Sequence, residues 1–175
     1  VLRDSTAAMN NISVSLPDGS AREVEAGTPA AQILKDLLKK ADFRSAVAVR
    51  VNGKAVDLAT PITEESLLEP ITFDSEEGRH IYRHSSAHIM AEAVLDLFPG
   101  VKFAIGPSIE NGFYYDFALP RPLTPEDLPR IEGRMKEIIR ENRPFERSVI
   151  PREEALALFR KEGEVFKVEL LEEIE

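Results

Sequence analysis

Ile12-Ser13-Val14-Ser15-Leu16-Pro17-Asp18-Gly19-Ser20-Ala21-Arg22-Glu23-Val24-Glu25-Ala26 decides the first half of the fold. Ile12, Val14 and Leu16 alternate with serines, the period of a strand buried on one face. Pro17-Asp18-Gly19 makes a turn, because proline presets φ and glycine accepts a positive one. Arg22, Val24 and Ala26 alternate on a return strand, so the stretch reads as a hairpin. Downstream, Thr28 is expected at the N-cap and Pro29 at the first position of a helix. Ile33, Leu34, Leu37 and Leu38 give that helix an apolar stripe. A third strand, Val47–Val51, runs into an Asn52-Gly53 hairpin turn. Lys54–Leu58 is expected as the fourth strand and Ile71-Thr72-Phe73 as a short last one.

Two strands, a helix, two strands and one more bury their apolar faces most simply as one helix across a mixed sheet. That is the β-grasp, or ubiquitin-like, arrangement, expected over residues 12–74. Residues 1–11 are polar and aperiodic and are expected to be a disordered leader, with Met9 a candidate native start. From residue 75 to 175 the pattern changes to an α+β domain of long helices around a hairpin. Asp74 or Ser75 caps a helix that runs to about Phe98 and stops at Pro99-Gly100. Phe103, Ile105, Pro107 and Ile109 alternate on a strand, Asn111-Gly112 turns, and Phe113–Phe117 returns. A second helix starts at Thr124-Pro125 with Asp127 at its third position and ends before Pro144. Arg147–Ile150 reads as a strand, and residues 151–161 as a third helix broken at Gly163. The apolar residues of the tail have nothing after them to pack on, so the domain is expected to be incomplete at its carboxyl end.

Composition narrows the function. The chain has 175 residues, no cysteine, and 31 acids against 22 bases, for a net charge of −9. A disulfide scaffold and a cysteine-ligated zinc site within the chain are excluded. No apolar run reaches the ~18 residues of a membrane helix. The acidity argues against broad non-specific binding of nucleic acid.

All three histidines, His80, His84 and His88, recur every fourth residue on one helix. They form a band at the shoulder of its apolar arc, where a cleft-lining group would lie. Read from spacing alone, the band admits a shared zinc, acid–base chemistry near neutral pH, or ordinary surface hydrogen bonds. Gly106-Pro107 interrupts a strand and suggests close approach of a ligand or another backbone. Phe113 and Phe117 read as core, whereas Tyr114 and Tyr115 are open, since a phenol can both pack and donate. Lys167 follows a helix end and by itself reads as a solvated charge in a loop.

Taken in order, Leu16-Pro17-Asp18-Gly19, Val51-Asn52-Gly53, Arg83-His84-Ser85-Ser86-Ala87-His88, Ala104-Ile105-Gly106-Pro107, Asn111-Gly112-Phe113-Tyr114-Tyr115-Asp116 and Gly163-Glu164 leading to Lys167 resemble the amino-terminal half of bacterial threonyl-tRNA synthetases. The resemblance implies a TGS domain of β-grasp fold followed by an editing domain that hydrolyses seryl-tRNA(Thr). The need for such a site is physical. Serine lacks one methyl of threonine, and a pocket rejects such a substrate by only ~1–3 kcal/mol, roughly 10–200-fold. It further implies His84, His88 and Lys167 as catalytic residues, Tyr115 as a cleft-lining residue, and a structural role for His80. Tyr114 and Gly106 are candidate contacts to substrate.

The implied partners are the tRNA(Thr) 3′ end and its seryl-adenosine, without a membrane, in the cytoplasm. No cofactor or metal is expected in this chain. ATP, magnesium and zinc go with the catalytic domain of the full enzyme, a homodimer, while this chain is expected to be a monomer. The family's second editing motif, Cys-x-x-x-His with a nearby Asp, is absent, as is the catalytic core. The chain alone is therefore expected to be inactive in aminoacylation and poor in editing. Two alternatives stand beside this reading: a non-catalytic RNA-contacting or regulatory module, and a free-standing zinc-dependent aminoacyl-tRNA deacylase.

Overall fold

A computed structural model describes residues 10–103 and 106–174. It is a mixed α+β structure whose chain divides into two compact units, Val1–Tyr82 and Arg83–Glu175. Residues 1–9 of the leader expected over 1–11, and Ala104, Ile105 and Glu175, lie outside the described residues.

In the first unit, β1 (Asn11–Ser15) and β2 (Ala21–Glu25) form the hairpin read from the sequence, in the register Ile12 opposite Val24 and Val14 opposite Arg22. Asn11, assigned to the leader above, is already paired with Glu25. The next step differs from expectation. Thr28 is not an N-cap. Its hydroxyl donates to the Glu25 carbonyl at 2.6 Å, and Thr28–Pro29 forms a short strand, β3. Helix α1 (Ala30–Leu37) starts after Pro29, and Leu38 is already extended. A short helix that the sequence pattern did not show, α2 (Lys40–Ser45), leads into β4 (Ala46–Val51). Asn52 and Gly53 take φ of 47° and 86° between β4 and β5 (Lys54–Val56), the left-handed pair that this two-residue turn requires. β6 (Pro61–Ile62) pairs with β3.

The last strand, β7, runs from Ser66 to Thr72 and is much longer than the three residues expected. It forms the middle of the sheet, whose order is β2-β1-β7-β4-β5. Pro70 within it masks the strand in the sequence, because proline removes a ladder donor. The structure tolerates it because β1 pairs only with Ser66 and Leu67, so at Pro70 the paired neighbour is β4. The apolar side of α1 packs on this sheet: Ile33 and Leu34 join Ile12, Val14, Leu16, Val49, Ile62 and Leu68 in one core.

Helix α3 (Glu76–Leu97) spans the division between the units. Ser75 caps it, its Oγ accepting from the Gly78 N–H at 3.0 Å. A Cβ at position 78 would stand 1.9 Å from the Thr72 carbonyl oxygen. Alanine in place of glycine ordinarily favours a helix by about 1 kcal/mol. Here we expect Gly78→Ala to be destabilising instead, because the clash is with backbone and overpacking costs about 1–3 kcal/mol. A lower thermal midpoint for Gly78→Ala than for the parent chain checks this.

In the second unit, Ala91, Ala93, Val94 and Phe98 of the α3 end form a core with Val101, Phe103, Ile131 and Ile138. Four two-residue strands follow α3: β8 (Lys102–Phe103), β9 (Ser108–Ile109), β10 (Gly112–Phe113) and β11 (Phe117–Ala118). β9 pairs with β10, Ile109 opposite Gly112, so the turn residues are Glu110 and Asn111 and not the expected Asn111-Gly112. β11 pairs back on β8. Phe117 packs on the core as expected; Phe113 is half-buried outside it.

Helix α4 (Asp127–Glu141) begins three residues later than Thr124, so Thr124 is not its N-cap; Glu126 takes that place without a side-chain cap bond, because Asp127 Oδ2 turns back to accept the Thr124 N–H at 2.9 Å. Buried Asp127 also takes two hydrogen bonds from Arg121, at 2.7 and 2.9 Å, which hold its carboxyl well below the usual range. Arg121 and Arg130 both lie over the Phe98 ring, at 5.6 and 5.9 Å. Residues 147–150 form no strand; their side chains are exposed, and Val149 is 77% accessible. Helix α5 (Arg152–Glu162) ends at left-handed Gly163, and α6 (Val165–Glu173) follows. Lys167 therefore stands on the first turn of a helix, not in a loop.

Candidate functional site

The α3 period places His84 and His88 one turn apart at the edge of the buried arc of Ala87, Ala91 and Val94. Both side chains are exposed, and they touch: the two Nε2 atoms are 3.1 Å apart, with the rings nearly perpendicular. Such a contact needs one nitrogen to donate and the other to accept, so the pair holds one proton between its facing nitrogens. Arg83, next to them, donates to the carbonyls of Ile109 at 3.2 Å and of Glu110. It ties the β9–β10 turn to α3, a role that the sequence pattern did not reveal. His80 is exposed on the same helix but belongs to the first unit.

The pKa of His88 is pushed below its ordinary 6.5, first by loss of solvent around the ring and then by the charges of His84 and Lys167. The sign follows from linkage. The unfolded chain takes up this proton at a higher pH than the folded one, so the contribution to stability is present above the unfolded value and is lost as pH falls from there through the lower folded value. Lys167→Met is expected to raise the His88 midpoint toward 6.5, read by NMR titration of the imidazole. An unmoved midpoint would show that Lys167 does not act on this ring.

Lys167 itself is half-buried. Its Nζ lies 3.4 Å from Glu164 Oε1 and 5.2 Å from the centre of the Phe159 ring. Tyr115 stacks on Phe117 at 5.0 Å and meets Phe103 edge-on at 6.0 Å. Burial, and then the Glu164 carboxylate, push its phenol above the usual 10, so it stays protonated at neutral pH. Gly106 lies directly against that ring, since a Cβ there would come within 2.1 Å of it. The close approach expected at Gly106 is thus to a side chain of the same chain. Tyr114 is 49% exposed, and no described contact joins it to this group.

The structure therefore brings His84 and His88 into contact and Gly106 against Tyr115, with the Lys167 charge acting on His88 and the Glu164 charge on Tyr115. Glu164, which also pairs with Lys167, stands in the Gly163-Glu164 motif quoted above but was given no role there. Among the described residues, no group of three or more His, Asp or Glu side chains is arranged to hold a metal ion. No described helix is long and apolar enough to cross a membrane.

No family model matches the chain. Individual proteins do. The chain is 47% identical over 163 residues to the threonine–tRNA ligase of Desulforamulus reducens, covering 93% of this chain and 26% of that protein. It is 48% identical over 161 residues to that of Caldanaerobacter subterraneus subsp. tengcongensis, covering 92% and 25%. The match to the Pelobacter propionicus protein is 46% over 169 residues, covering 95% and 26%. The chain thus spans about a quarter of the length of the curated relatives it matches. At 46–48% identity across more than nine-tenths of its residues, it is a relative of one part of the threonine–tRNA ligases.

Proposed function

We propose that this chain is the amino-terminal region of a threonyl-tRNA synthetase and carries part of a site that hydrolyses seryl-tRNA(Thr). The observation that carries the proposal is the His84–His88 contact, with the Lys167 charge acting on His88 in support. The sheet order β2-β1-β7-β4-β5 under one principal helix supports reading the first unit as a β-grasp TGS domain.

The chemistry follows from these groups. Hydrolysis of an aminoacyl ester needs a base for water, a cation for the developing oxyanion, and a proton for the departing ribose oxygen. His88, lowered below its ordinary value, is neutral at pH 7 and can accept a proton from water. His84 hydrogen-bonds to it and can receive or return that proton. Lys167 supplies a fixed positive charge for the ester carbonyl oxygen. The protonated Tyr115 phenol can donate to the 3′ adenosine or its ester, and Tyr114 and the backbone at Gly106 are further candidate contacts to substrate. The proton taken from water returns to the ribose oxygen as the ester C–O bond breaks. ATP, magnesium and zinc, which the resemblance assigns elsewhere in a full synthetase, enter no step here.

The test is deacylation of seryl-tRNA(Thr) and threonyl-tRNA(Thr) by the full synthetase bearing this sequence and by the chain alone. The full enzyme is expected to hydrolyse the seryl ester and spare the threonyl ester. Failure to discriminate, or an inert full enzyme, would overturn the proposal.

A further inference from the structure

We propose that Glu164 is a positioning residue: from the turn between α5 and α6, its carboxylate holds the Lys167 ammonium in place. The part it plays in catalysis rests on the proofreading reading; the anchoring itself does not.

The turn makes Glu164 a firm base. Gly163 is left-handed at φ 75° and lets the chain reverse after α5. The Glu164 N–H donates to the Phe159 carbonyl at 2.9 Å, and the Glu164 carbonyl accepts from the N–H groups of Lys167 and Val168, each at 3.1 Å. Amide and carbonyl are both fixed, so the side chain leaves from a rigid point. That side chain is only 23% exposed, and its Oε1 is 3.4 Å from Lys167 Nζ. The other support for the ammonium is the face of Phe159, on the last turn of α5. A lysine has a long flexible stem, and a free one would spread its charge over many rotamers. Here a carboxylate and a ring from the same turn confine it. Partly exposed ion pairs add little to stability, so the effect of this one is on where the charge stands. The charged and titratable groups acting on His88 are His84 from its own helix and Lys167 from α6. Glu164 acts on Tyr115 directly and on His88 only through Lys167.

That difference gives the test its sign. Removing a nearby anion lowers a histidine's affinity for protons. Releasing a confined cation raises it. NMR titration of the whole chain is therefore compared for the parent, Glu164→Gln, Lys167→Met and the double variant. We expect Glu164→Gln to raise the His88 midpoint toward the Lys167→Met value, and the double variant to match Lys167→Met. The Tyr115 midpoint should fall toward 10 in Glu164→Gln. Glu164→Asp, which keeps the charge on a shorter stem, should place His88 between the parent and Lys167→Met, and it carries the test if the Gln variant does not fold. An unmoved or lowered His88 midpoint in the folded Gln variant, or a rise that persists undiminished on top of Lys167→Met, would overturn the proposal. In the full synthetase, Glu164→Gln is expected to lower kcat for seryl-tRNA hydrolysis about 10- to 100-fold with KM little changed. Unaltered kcat would refute the catalytic consequence. An inert parent enzyme would refute the proofreading reading and leave the titration result standing.

Discussion

His88→Ala in the full synthetase is expected to slow hydrolysis of seryl-tRNA(Thr) by about 10²–10⁴-fold, the usual worth of a positioned general base. Threonylation of tRNA should be unaffected. The argument runs from the contact between the rings. The facing nitrogens are 3.1 Å apart, within hydrogen-bond distance, and in the proposed chemistry neither ring works alone. His84→Ala should therefore cost nearly as much as His88→Ala, and the double variant little more than either, because residues that act as a unit lose their effect together. Single-turnover deacylation of pre-formed seryl-tRNA measures all three. Independent, multiplying losses would show that the two imidazoles serve separate steps. Unchanged rates would remove them from the chemistry.

Leu34→Ala is expected to destabilise the first unit by about 2–5 kcal/mol, the cost of deleting a large aliphatic group from a closed core. Leu34 is 0% exposed and packs among the buried residues of β1, β4 and β7. Leu67, one strand residue before Leu68, provides the contrast. It is 39% exposed, and its replacement by alanine should stay near the range of about ±0.5 kcal/mol typical of surface changes. Urea unfolding followed by circular dichroism separates the two. Equal shifts would mean that α1 does not seal the sheet as described.

Period and turn chemistry explain which parts were legible beforehand. The β1–β2 hairpin and the Asn52-Gly53 turn are local, and each announces itself in a few adjacent residues. The four-residue spacing of His84 and His88 becomes a contact once a helix forms, so half of the site could be read from α3 alone. β7 was hidden because Pro70 argues against a central strand, and only the partial pairing with β1 shows why it is allowed. Residues 147–150 carry strand-forming side chains but gain no pairing partner among the described residues. Lys167 and Glu164 lie far along the chain from α3. Their electrostatic influence on His88 and Tyr115 depends on the turn at Gly163 and the tertiary packing of the second unit, which no single-segment pattern encodes. The resemblance was carried by Glu164 as well as Lys167, but it assigned a role only to the lysine.

The seating of an aromatic ring on bare backbone at position 106 has a consequence for how such chains can diverge. Any side chain introduced there meets the ring of Tyr115 at 2.1 Å, so the change is tolerable only if position 115 shrinks or swings away at the same time. The two sites should therefore be inherited as a coupled pair, and a lineage that abandons the glycine should also be found to have surrendered the phenol.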